Sequence, residues 1–159
     1  MGYNDNKNFW KGASGGFSKH TAPADLPKIV FFEESDVKKE KIRQAVVDDD
    51  AQKCAQAFIT PSFGKKINSS QLRKFYAEAK SLELAWNTQG KANFGNLLPR
   101  IKLLKAKAAY AKERGVVPDD FRKWLWNCVD NIKDGRDFEA FLLHFEAVVG
   151  FAYGLGLKD

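Results

Sequence analysis

Along most of the chain, apolar residues return every three or four positions, the period of a helix with one buried face. Leu72, Phe75, Tyr76, Ala79, Leu82 and Trp86 form one such stripe, with Ser69 or Ser70 expected as its N-cap and Gly90 as its stop. Leu97, Ile101, Leu104, Ala108 and Ala111 form the next. Here Asn96 is the expected cap, Pro99 falls in the first turn and Gly115 ends the helix after Arg114. Pro118 opens a third, carrying Phe121, Trp124, Leu125, Cys128, Val129 and Ile132. Asp134 or Gly135 closes the following turn before Phe138, Phe141, Leu142, Phe145, Val148, Val149 and Ala152.

Earlier in the chain the pattern is weaker. Ile29–Phe32 reads as a short apolar run docking on the core, and Ser35 as the cap of a helix from Asp36 carrying Ile42, Ala45 and Val46. Asp48, Asp49 and Asp50 interrupt that pattern and suit the solvated start of a second short helix running to Phe58. Residues 1–27, rich in Gly, Asn, Ser and Lys, read as a flexible tail in which aromatics alternate with cations; 28–159 read as a single domain. No strand is expected after residue 32. The fold class is all-α, an antiparallel helical bundle of about five helices with a flexible N-terminal tail.

Charge changes the picture from fold to partner. The net charge of +6 is unevenly spread: residues 1–59 balance to zero, 60–114 carry +9, and 115–159 carry −3. Such a concentration in one third of the chain is the footprint of a polyanion-binding face, or simply a solvated bundle surface. The helix from Leu97 to Arg114 focuses it. Arg100, Lys107 and Arg114 are seven apart and share one flank, while Lys102, Lys105 and Lys112 lie on the other. Seven helical residues advance about 10.5 Å, nearly two phosphate spacings of an extended strand. Leu103, Ala106 and Tyr110 lie between the flanks, where they would meet a base or pack on a neighbouring helix. Lys65, Lys66, Arg73, Lys74 and Lys80 extend the positive field, so that two neighbouring helices are expected to form one continuous basic groove.

Catalytic and metal chemistry find little support. The two cysteines, Cys54 and Cys128, and two histidines, His20 and His144, lack zinc-ligand spacing, and no phosphate-binding or nucleophile motif is present. His144, between Leu143 and Phe145, has no evident nucleophile to serve and reads as a satisfied or exposed helix histidine. No cofactor is implied. No apolar run approaches the roughly 20 residues that span a bilayer, and no signal peptide is read, which leaves the cytoplasm as the expected compartment.

Three segments then resemble a known family. Ser70-Gln71-Leu72-Arg73-Lys74-Phe75-Tyr76 looks like the signature opening of the small helical subunit of the Csm complex, the type III-A CRISPR effector. Leu98-Pro99-Arg100-Ile101, with Ala109-Tyr110-Ala111 and Arg114, resembles its second signature. Phe138, Phe141, Phe145-Glu146-Ala147-Val148-Val149 and Tyr153 are similar to its C-terminal helix, so the resemblance spans about residues 68–154. It implies a non-catalytic subunit of an antiviral ribonucleoprotein, present in several self-associating copies beside other Csm subunits. It also implies contact with RNA, the CRISPR RNA or its target, with Arg73, Lys74, Arg100, Lys107 and Arg114 on phosphates and Tyr110 as a weaker candidate; Lys66 joins them as an RNA-binding candidate from the charge pattern. Two other readings stand beside it: a helical adaptor that binds only protein, and the small subunit of the related Cmr complex.

Overall fold

A computed structural model describes residues 26–158; the expected tail lies almost wholly outside them. Five helices follow one another: α1 (Asp49–Ile59), α2 (Ser69–Thr88), α3 (Phe94–Glu113), α4 (Asp119–Asp130) and α5 (Gly135–Gly154). There is no strand among the described residues. Paired contacts show that α2 and α3, α3 and α4, and α2 and α5 run antiparallel, with Tyr76 meeting Phe145 and Trp86 meeting Phe138 in the last pair. Glu78 meets Lys107 while Trp86 meets Phe94, and Lys102 reaches Val129 while Trp126 reaches back to Lys105. His144 on α5 meets Trp124 on α4.

The stripes read from the sequence are the buried faces. In α3 the buried residues are Leu97, Ile101, Leu104, Ala108 and Ala111. In α2 only Tyr76 of the expected stripe is half-buried, and it sets its ring edge-on to Phe145 at 5.4 Å. The centre of the bundle is α5, which packs against α1, α2 and the preceding 3-10 turn, Gln44–Val47. Apolar residues occupy so much of its circumference that it must be enclosed on several sides. Phe58, Phe121, Trp124, Phe141 and Phe145 interlock there with ring centroids 4.9–5.7 Å apart.

Local chemistry explains where elements begin and end. Asp134 accepts from the Asp137 backbone N–H, and the Asp137 carboxylate accepts from that of Asp134, a capping box that starts α5. The Lys39 ammonium sits between both carboxylates at 2.6 and 2.8 Å, tying the segment before the 3-10 turn to the head of α5. Gly90 and Gly115 follow α2 and α3 at φ +64° and +70°, a conformation glycine enters without steric cost. At Gly135 the reason is space: a Cβ there would come within 2.5 Å of the Trp86 ring.

Three sequence expectations need correction. No helix starts at Asp36. Its carboxylate instead accepts from the backbone N–H groups of Glu40 and Lys41, closing a turn that competes with helix, and Lys39 takes φ +55°. The cap of α2 is Asn68, which accepts from Gln71 N–H at 2.8 Å, one residue before Ser69. α3 begins at Phe94 after Asn93 in the left-handed region, so Pro99 lies in its second turn and not its first. The carbonyl that loses a helical donor there is that of Gly95, an exposed position where water can replace it. The short helix expected after the three aspartates is present as α1, with Asp49 and Asp50 in its first turn.

Candidate nucleic-acid interface

α3 is held by neighbours on two sides, and its two basic flanks meet different surroundings. Toward α4, the Lys102 ammonium donates to the Val129 carbonyl at 2.8 Å, and Lys105 pairs with Asp130 at 2.6 Å. Both reach the C-terminal end of α4, where free carbonyls and the dipole favour cations. Burial holds the Lys102 ammonium below the ordinary lysine value; Lys133 and Lys105 add to this and Asp130 opposes it. Trp126 completes the seam. Its indole N–H donates to the Lys105 carbonyl at 2.9 Å, while Lys105 and Arg122 approach its ring at 4.7 and 5.0 Å. The half-exposed tryptophan is thus part of a helix–helix joint.

Toward α2, Arg100, Lys107 and Arg114 are all exposed. Arg100, Leu103, Leu104 and Lys107 line a shallow groove of about 230 Å³ with Glu78, Ser81 and Leu82 of α2. Lys107 is paired with Glu78 across it. The Arg114 guanidinium lies 5.5 Å from the centre of the Tyr110 ring. Between the flanks, Leu103 is 53% and Tyr110 65% exposed, so neither packs into the bundle and the strip they share with Ala106 is open. Of the two fates expected for this strip, packing into a neighbouring helix is therefore not the one taken.

The other candidates are divided by the turn of α2. Residues 71, 74, 78, 81 and 85 share one face, so Lys74 lies in line with Glu78 and Ser81 beside α3. Lys80 turns the other way. It pairs with Glu83 and lines a cleft with Arg136, Glu139, Leu143 and Glu146 on the α5 side. The expected continuous basic groove across both helices is therefore not formed: Lys80 leaves it, and the α2 wall contributes Glu78. Arg73, seven residues before Lys80 and so on nearly the same side of α2, is exposed. Lys66 is exposed in the connection from α1. What the fold brings together on one side is Arg100, Lys107, Arg114, Lys74, Tyr110 and Leu103.

Groups with catalytic potential are engaged elsewhere. His144 is fully buried. Its Nε2 accepts from the Trp124 indole at 2.9 Å, which puts the ring proton on Nδ1, 2.5 Å from the Val46 carbonyl. Burial pushes its pKa below the usual histidine value, against the opposing pull of the Val46 carbonyl and Asp50. Cys54 and Cys128 are buried thiols whose pKa values are raised by that burial. No group of His, Cys, Asp and Glu among the described residues is placed to hold a metal ion. No helix among them is long and apolar enough to cross a membrane.

The family described as Csm2 Type III-A matches residues 39–153. The chain belongs to that family. It is accordingly a small subunit of the type III-A Csm complex and an associate of the other Csm subunits, which sets aside the Cmr assignment. The match starts about thirty residues before the three motifs that suggested it, so it also takes in the 3-10 turn and α1. No curated protein and no solved structure matches the chain.

Proposed function

We propose that this Csm2 subunit is a non-catalytic spacer that lies along the RNA of the effector complex, in several copies, and grips its backbone through the α2-facing side of α3. The observation that carries this reading is the exposed row Arg100–Lys107–Arg114, with Lys74 beside it and Tyr110 and Leu103 open between the flanks. Cations repeated at a helical heptad follow a polyanion without reading its sequence, as a subunit serving arbitrary guides requires. Lys66 extends the same field from the loop before α2, and Arg73 adds positive charge from the outer side of that helix. His144 and both cysteines are buried, which favours a role in positioning RNA over one in cutting it.

The test is binding of the full chain to single-stranded RNA of about 40 nucleotides across a salt series, against Arg100→Ala/Lys107→Ala/Arg114→Ala. Affinity should fall steeply with salt. The triple variant should flatten the slope by about 2, at roughly 0.7 per lost phosphate contact, with unchanged helical circular dichroism. Equal slopes for both proteins would remove the row from the interface.

A second reading, that the subunit contacts only protein, is favoured by Leu84 and Leu143, exposed at 65% and 45% away from the basic row. The two are compatible, since a subunit in a filament needs surfaces for its neighbours as well as for RNA. Absence of RNA binding by the wild type even at low salt would leave this second reading standing alone.

A further inference from the structure

Ten of the eleven described phenylalanines are buried or half-buried; Phe63 is 87% exposed. It stands near the tip of the loop between α1 and α2, Thr60-Pro61-Ser62-Phe63-Gly64-Lys65-Lys66. The base of that loop is pinned. Thr60 N–H donates to the Gln56 carbonyl at 2.9 Å, Ile67 N–H to the Phe58 carbonyl at 3.0 Å, and Ile67 itself is fully buried. Asn68 then caps α2. Gly64, at φ +80°, turns the chain immediately after the phenylalanine. The ring is therefore held out into solvent from a firm base, with two lysines following it.

A single exposed apolar side chain is ordinary in itself. Its own stretch of sequence makes this one different. From Ala51 to Ala77 the sequence holds Lys53, Lys65, Lys66, Arg73 and Lys74 and not one Asp or Glu. The loop also lies on the line of the α3 row. Lys107 opposite Glu78 sets the register of the two antiparallel helices. Arg114, about 10.5 Å further along α3, comes level with the first turn of α2, next to the loop. An aromatic face among cations, with no carboxylate in its stretch of chain, is the composition that stacks a nucleobase while neutralising its phosphates. A protein-binding hot spot has less need of so one-sided a charge.

We infer that Phe63 stacks on an unpaired base of the bound RNA, with Lys65 and Lys66 on the adjoining phosphates. The inference rests on the RNA-binding role proposed above and extends it from backbone contact to contact with a base. Stacking of this kind is tolerant of sequence, because every base offers a π face.

The test uses the full chain and the same single-stranded RNA at one fixed salt concentration, with Phe63→Ala, Phe63→Leu and Phe63→Tyr. Alanine and leucine should each weaken binding by about fivefold to 150-fold, the range expected for one stacked base, and tyrosine should bind as wild type. The salt slope should stay the same in all four, since no cation has been removed. If wild type binds and the whole series binds equally, or if leucine restores full affinity, base stacking is wrong while the backbone-binding role survives. Loss of self-association with RNA affinity intact would likewise overturn it, making the loop a protein contact. If wild type itself binds no RNA, both proposals fall together, an outcome distinct from a flat Phe63 series.

Discussion

Both flanks of α3 carry cations along the helix, and the fold treats Lys102 and Lys105 differently from Arg100, Lys107 and Arg114. On the α4 side, Lys102 and Lys105 end on Val129 and Asp130, and Trp126 closes over Lys105. On the α2 side, among the described residues only Lys107 finds a carboxylate, and Arg100 and Arg114 stay exposed. A cation latched to a helix C-terminus already has its counter-charge. It must give that up before it can meet a phosphate, and the exchange gains little. An arginine held in water by a rigid helix loses only counterions and side-chain freedom. Periodicity therefore nominates a basic row, and the chemistry of the neighbouring helix decides whether the row is available.

The sharpest way to break this contrast is to delete the α2-side row, because its effect falls on binding alone. Arg100→Ala/Lys107→Ala/Arg114→Ala should cost RNA affinity on the order of 100-fold near physiological salt, with thermal stability altered little at these exposed sites. A filter-binding salt series with parallel melting curves separates the two. A large loss of stability at unchanged affinity would invert the assignment of the flanks.

The contrast also depends on the core beneath it, which should weaken in mild acid. His144 is neutral when folded, with its pKa below the unfolded value of about 6.5. Above that value the folded and unfolded chains hold the same number of protons at this site. Below it only the unfolded chain takes up the proton, until the folded pKa is reached. Stability is thus full at neutral pH and should fall by at most about 1.4 kcal/mol per pH unit as pH drops through that window. Protonation would also remove the acceptor for the Trp124 indole. Urea melts from pH 7.5 to 5.0 on wild type and His144→Gln should show the wild-type slope steeper; parallel profiles would take His144 out of the acid response.

Much of the fold could be read because burial repeats with helical period. The α3 stripe emerged residue for residue, as did the stops at Gly90 and Gly115, since a Cβ-less residue at positive φ ends a helix wherever it lies. Starts were less legible. Asn68, Ser69 and Ser70 are all good caps, and only the geometry selects the asparagine. Ser35 offered a cap, and Asp36, expected to open the helix, instead closes a turn, a choice between two local hydrogen-bonding patterns that composition does not bias. The site was half legible. The heptad row and its exposure follow from period alone, but the fate of Lys102 and Lys105 depends on a carbonyl and a carboxylate of another helix. Phe63 was missed for want of periodicity, although an aromatic followed by Gly-Lys-Lys in a stretch free of acids was a usable signal.

A smaller effect sharpens the contrast from the other flank. Lys102→Ala/Lys105→Ala removes two cations from the same helix, yet RNA affinity should change by less than about threefold, because the global field is reduced but no phosphate contact is lost. Stability should fall by about 1 kcal/mol, since the ion pair is partly exposed and worth little, while the bond to the Val129 carbonyl is better shielded. A denaturant midpoint below wild type, with an unchanged salt slope, is the expected signature. A slope lowered as much as by the α2-side triple variant would show that both flanks reach RNA.

The smallest expected effect tests the one place where the two flanks resemble each other. Lys107 is the member of the open row with a carboxylate partner, Glu78, standing in the groove beside Arg100. Glu78→Gln keeps the size and hydrogen-bonding capacity of the side chain but takes away its charge. Lys107 is then freed for phosphate, and an anion that would repel the RNA backbone is gone. Affinity should rise about twofold to threefold at low salt, shrinking as salt screens the removed charge. Stability should drop by no more than about 0.5 kcal/mol, the scale of an exposed pair. Addition of Lys107→Ala should cancel the gain that comes from the released ammonium, leaving only the part due to lost repulsion. If Glu78→Gln instead weakens RNA binding, the carboxylate is a positioning group that holds Lys107 in line with Arg100 and Arg114, and the paired lysine is the ordered member of the row.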